Sequence, residues 1–126
     1  MAPIVKSVIT AAHLLLFSQD ADADRTFLRD VLGWPSVSAG GPGDTWLIFR
    51  LPPAEVAVHP TDGPPSTELY LMCEDLTATL AELADKGVSP TGGTHQRDWG
   101  IVTAIRLPSG TELGLYQPTH ATAFDL

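Results

Sequence analysis

The sequence predicts an α+β domain made of two copies of one β-α-β-β-β module. Three observations carry that expectation. The order of elements repeats on either side of a Pro/Gly-rich connector, TDGPPST (61–67). HLLLFSQD (13–20) can be laid directly on ELYLMCED (68–75). FRLPPAEVAVH (49–59) can be laid on IRLPSGTELGLY (105–116), with Gly110 as a single insertion.

The elements follow in order. SVITAAHLLLF reads as a strand, because β-branched residues lead into an apolar run. DADADRTFLRDVLGWP reads as a helix over about 22–33. Asp20, Asp22 or Asp24 can cap it, Phe27, Leu28, Val31 and Leu32 form its stripe, and Gly33 with Pro35 ends it. SAGGPGD is a loop, and TWLIFRLP and AEVAVHP are two strands joined by a proline turn. Past the connector, TELYLMCED is a strand. A helix follows over about 76–86, with Asp75 as cap, Leu76, Leu80 and Leu83 as stripe and Gly87 as stop. VSPTGGTHQRDWG holds a short strand or loop, and IVTAIRLP and TELGLYQP are the last strands. The expected domain is single, 1–126, with module one over about 7–60, module two over about 67–118 and an irregular tail, 119–126, from which Phe124 packs back.

Composition narrows the function. A length of 126 residues suits one domain with a proper core, and 44% hydrophobic content argues against disorder. The net charge of −8 disfavours nucleic acid and anionic membranes, which require a basic surface. One cysteine permits no intrachain disulfide. No apolar run approaches the ~20 residues of a membrane span. The apolar N-terminus lacks a basic leader region, so the expected location is cytoplasmic. No Gly-rich phosphate loop, nucleophile elbow or paired-cysteine metal motif is present.

Taken together, HLLLFSQDADADRTFLRDVLGWP, DWG and LPSGTELGLYQP resemble the vicinal oxygen chelate superfamily, which comprises the glyoxalases, bleomycin resistance proteins and extradiol dioxygenases. The resemblance runs from about His13 to Pro118. It implies a curved, mostly antiparallel sheet enclosing a cavity, and a homodimer. It also implies a divalent metal held by first-strand and last-strand residues of each module. Carried over one at a time, those positions fall on His13, Ala57, Glu68 and Gly114. Two of the four cannot ligate, whereas a catalytic zinc takes about three protein ligands. The expected cofactor is therefore none. The alternative is one ion of zinc, nickel or iron on a displaced site of His13 and Glu68 with His59 or Glu112.

Gly114 sits mid-strand, where it packs nothing. One reading is that it keeps a cavity open; the other is a bulge or close strand contact. The expected ligand-binding residues are His13, Trp46, His59, Glu68, Tyr70, Trp99, Glu112, Gly114 and Tyr116. Glu55 and Glu112 read otherwise as rim carboxylates, and Cys73 as a buried small hydrophobe. Aromatic walls among carboxylates suit a cationic or planar small molecule, as in antibiotic sequestration. The rival expectation is an enzyme: a metal-dependent lyase or dioxygenase, or a metal-free isomerase or cyclase using His13 and Glu68.

Overall fold

The computed structural model describes residues 11–126, so residues 7–10 of the expected first module lie outside the described residues. Helix α1, Ala21–Asp30, precedes a hairpin of β1, Ser36–Ser38, and β2, Leu47–Phe49. A single 3-10 turn, Pro42–Asp44, lies in the hairpin loop. The second half contains β3, Tyr70–Met72; α2, Leu76–Asp85; β4, His95–Arg97; β5, Gly100–Arg106; and β6, Glu112–Pro118.

Both helices start where the carboxylates allow. Asp20 accepts the Ala23 amide and Asp75 accepts the Ala78 amide, each satisfying a donor that the first helical turn leaves unpaired. Gln117 supplies a second cap for α2, its side-chain oxygen taking the Leu76 amide at 3.0 Å. At the other end Gly87 stops α2 with φ +81°, a conformation that side chains resist.

The second half forms one four-stranded sheet, ordered β3-β6-β5-β4. β3 runs parallel to β6, and the other pairs are antiparallel. Period-two alternation gives the sheet two unlike faces. Ile105, Leu113 and Leu115 point to one face and join Phe27 of α1 with Leu76 and Leu83 of α2 in a single core. Full burial of Ile105 and Leu113 contributes about 1.5–3 kcal/mol each. Cys73 packs against this core from the helix side, as its parity predicts.

The first half departs from the expectation. Its β1–β2 hairpin corresponds to β4–β5, but residues 13–20 and 54–59 are not strands. By the internal alignment these two stretches correspond to β3 and β6, which pair with each other. Among the described residues no backbone-to-backbone hydrogen bond involves 13–17 or 54–59. Phe17, Val56 and Val58 are each about nine-tenths exposed. Pro52, Pro53 and Pro60 flank the second stretch and withhold amides from any ladder there. Module two has Leu113 and Leu115 at the comparable strand, both buried; module one has Val56 and Val58 with nothing to bury them.

Candidate small-molecule site

The sheet face away from the helices gathers most of the candidate site residues. Register places Tyr70 beside Gly114 and Met72 beside Tyr116, then Ala104 beside Gly114 and Val102 beside Tyr116. His95 stands beside Val102 on β4. A cavity of about 580 Å³ opens on this face, its lining including Glu68, Tyr70, His95, Ala104, Glu112 and Gly114.

The mid-strand glycine has a steric cause. A Cβ at Gly114 would overlap the Tyr70 ring. The tyrosine therefore lies flat over the glycine of the neighbouring strand. Close strand contact is the immediate reason for Gly114, and the cavity lies beside the pair.

Three rings meet here. The two-residue turn between β4 and β5 carries Trp99 toward β6. Its ring lies 5.1 Å from Tyr116 and 5.9 Å from Tyr70, and Tyr70 lies 5.9 Å from Tyr116. All three pairs are edge-to-face, with interplanar angles of 77° to 90°. Such contacts place the positive ring edge of one residue on the negative face of the next. Tyr116 is buried, whereas Tyr70 and Trp99 are exposed. Burial pushes the Tyr70 hydroxyl above its ordinary value, and the Glu68 and Glu112 carboxylates push the same way. Burial, then Glu55, does the same for Tyr116. Both remain phenols at neutral pH.

The tail closes one side of the cluster. The Tyr116 hydroxyl lies 3.0 Å from His120 Nε2, and the two rings stack at 5.9 Å and 27°. Thr119 donates its amide to the Trp99 carbonyl and its hydroxyl to the Asp98 carbonyl. Ala123 donates its amide to Glu55 at 2.8 Å. Glu55 thus anchors the tail instead of standing free at the rim. His120 was not legible in advance; a histidine among small tail residues has no periodicity to place it.

Of the residues singled out from sequence, Glu68, Tyr70, Glu112 and Gly114 line one cavity, and Trp99 and Tyr116 adjoin it through Tyr70. The others do not join them. His13 lines an adjoining cavity of about 460 Å³ with Leu28, Trp34 and Phe49, on the α1 side, which shares Leu16 and Leu69 with the first. His59 is exposed in the unpaired stretch, and Trp46 is exposed on the hairpin, over Gly41. His13 and Glu68, expected to face each other, line adjoining cavities and not a common one. Among the described residues no three His, Cys, Asp or Glu side chains converge so as to hold a metal ion. The described residues of one chain therefore assemble no ligand set for the divalent metal that the resemblance implies. Cys73 is also unsuited to chemistry: burial pushes its thiol up, and its Sγ lies 3.5 Å from the Tyr116 carbonyl.

The half-module arrangement can be compared with solved structures. TnmS3, an antibiotic binding protein from Streptomyces sp. CB03234, superposes with a TM-score of 0.65 at 25% identity, covering 90% of this chain and 100% of that one. The fold is that of the glyoxalase/bleomycin resistance/dioxygenase superfamily. A glyoxalase/bleomycin resistance protein from Streptomyces sp. CB03234 matches at 26% identity and TM-score 0.54, over 79% of this chain and 93% of that one. Lactoylglutathione lyase from Agrobacterium tumefaciens shares the superfamily fold at 15% identity and TM-score 0.56, covering 88% of this chain and 96% of that one. No family profile matches the sequence, and no curated protein does. Among the described residues no helix is long and apolar enough to cross a membrane.

Proposed function

We propose that this chain binds a planar organic cation of antibiotic type and acts by sequestering it, without a metal. The observation that carries the reading is the corner of Tyr70, Trp99 and Tyr116 beside a cavity that holds Glu68 and Glu112. Aromatic faces attract a cation by about 0.5–2 kcal/mol, more when water is excluded. Glu68, two residues before β3, and Glu112, at the start of β6, bring two negative charges to one cavity, which gains from a shared counter-cation. Sequestration requires a complementary cavity and no reacting group. The likeness to TnmS3 supports the same reading.

The site is half-open in one chain, and a homodimer is part of the proposal. Leu15, Phe17, Val56 and Val58 present apolar side chains on unpaired backbone, a surface that a second copy can bury. A cytoplasmic location goes with the proposal, since a sequestered compound must be met inside the cell.

Thermal shift tests the binding. A panel of planar organic cations is screened beside neutral molecules of the same shape. Ligand at a hundredfold its Kd stabilises by about 2.7 kcal/mol, a shift of several degrees. The cations are expected to stabilise the wild type and to lose that effect in Trp99→Ala. A panel in which charge makes no difference defeats the proposal.

A further inference from the structure

We infer that His120 is a positioning residue for Tyr116, and that a proton on it competes with a cation at the aromatic corner. This rests on the cation-binding reading above.

The hydrogen bonds fix the tautomer. His120 Nδ1 lies 2.7 Å from the Ala121 carbonyl oxygen, which can only accept. Nδ1 therefore carries the ring proton, and in the neutral imidazole Nε2 has only a lone pair. The Tyr116 hydroxyl, 3.0 Å away, donates to it. The phenol proton is thus committed to the tail, and the Tyr116 ring is held against Trp99 and Tyr70.

A second proton changes this arrangement. It occupies Nε2, where it meets the Tyr116 hydroxyl, so the existing bond is lost unless that hydroxyl turns to accept. It also places a positive charge on a ring stacked 5.9 Å from Tyr116. A cation on the exposed faces of Tyr70 and Trp99 then sits near a like charge. Unit charges about 8 Å apart near a protein surface, at an effective dielectric of about 20, repel enough to weaken binding about thirtyfold when the ring is fully charged.

Among the described residues, two carboxylate residues are hydrogen-bonded to the tail that carries the imidazole. From the 50–69 loop comes Glu55, which receives the Ala123 amide; from the β4–β5 turn comes Asp98, whose carbonyl receives the Thr119 hydroxyl. Neither carboxylate is hydrogen-bonded to the ring among the described residues. β6 contributes Tyr116 itself.

Two measurements on the full chain test the inference. The first is ligand-free: ¹⁵N chemical shifts of the His120 ring report which nitrogen bears the proton. The Nδ1–H tautomer is expected in wild type and, because the Ala121 carbonyl still holds that proton, in Tyr116→Phe, where the shift of the unprotonated Nε2 changes as its lone pair loses the phenol donor. An Nε2–H ring in wild type overturns the assignment. The second is calorimetry with N-methylquinolinium, whose charge is independent of pH, between about pH 8 and pH 6. Wild-type affinity is expected to fall several-fold on acidification, and most of that fall to be lost in His120→Gln but kept in His95→Gln, which controls for the histidine that lines the cavity. A flat wild type, or a His120→Gln that keeps the slope, overturns the competition. Absence of binding at both pH values overturns the cation site itself and the competition with it, while the tautomer result still decides the hydrogen bond.

Discussion

Asp24 and Ser109, 85 residues apart, share two hydrogen bonds: the Ser109 amide reaches Asp24 Oδ1 at 2.9 Å and the Ser109 hydroxyl reaches Oδ2 at 2.6 Å. They tie α1 of the first module to the β5–β6 turn of the second. Burial alone would raise the Asp24 carboxyl. The Ser109 hydroxyl and amide, helped by Ser18, outweigh it and hold the carboxyl below its ordinary value. A lowered folded value means that the stabilisation is complete above the ordinary carboxylate range, near pH ~4, and is lost as pH falls through the folded value.

Asp24→Asn should therefore cost about 1.5–3 kcal/mol at neutral pH, the range for hydrogen bonds to a charged group. Denaturant melts of both proteins across pH give the check. The gap between them should narrow below pH ~4. A gap independent of pH would show that the carboxylate charge contributes nothing.

Gly114→Ala should destabilise by about 1–3 kcal/mol, the usual range for overpacking, because the new methyl group overlaps the Tyr70 ring. The effect should largely disappear in a Tyr70→Ala background. A double-mutant cycle measures this coupling. Additive costs would place the strain elsewhere.

Purification without chelator, followed by elemental analysis, should find no stoichiometric transition metal. Only Glu68 lines the cavity beside the aromatic corner, while His13 lines the adjoining one, so His13→Ala should leave cation binding unchanged and Glu68→Gln should weaken it several-fold. One tightly bound metal per chain, lost in His13→Ala, would reverse the assignment.

Sedimentation at micromolar concentration should show a dimer. Val56→Asp and Phe17→Asp each put a charge on the exposed apolar stretches and should shift the protein toward monomer. A wild-type monomer would mean that those residues face water by themselves.

The second module was legible almost residue by residue. Asp75, Leu76, Leu83 and Gly87 supply cap, stripe and stop for α2, and the alternation in ELGLYQP sorts core from open face. The first module's helix and β2 were also legible, but β2 pairs with β1, Ser36–Ser38, which the sequence did not announce, and not with 54–59 as expected. Strands at 13–17 and 54–59 were equally plausible from alternation. Pattern reports which side chains want burial, but whether a neighbouring strand supplies it is a tertiary matter. Tyr70, Trp99 and Tyr116 were singled out in the sequence as candidate site aromatics, yet their mutual packing was not legible there. It depends on a parallel β3–β6 pairing that brings residues 70 and 114 side by side. Gln117 as a helix cap and His120 as a phenol acceptor were invisible for the same reason: their partners are set by the fold and not by local spacing.

The most direct measurement is calorimetric titration at pH 8 of N-methylquinolinium beside neutral quinoline, two planar molecules of nearly the same shape that differ in charge. The cation should bind more tightly by about 0.5–2 kcal/mol, and Trp99→Ala should remove that preference. Equal affinities for the two compounds, or a preference that survives loss of Trp99, would contradict a site built from aromatic faces and carboxylates.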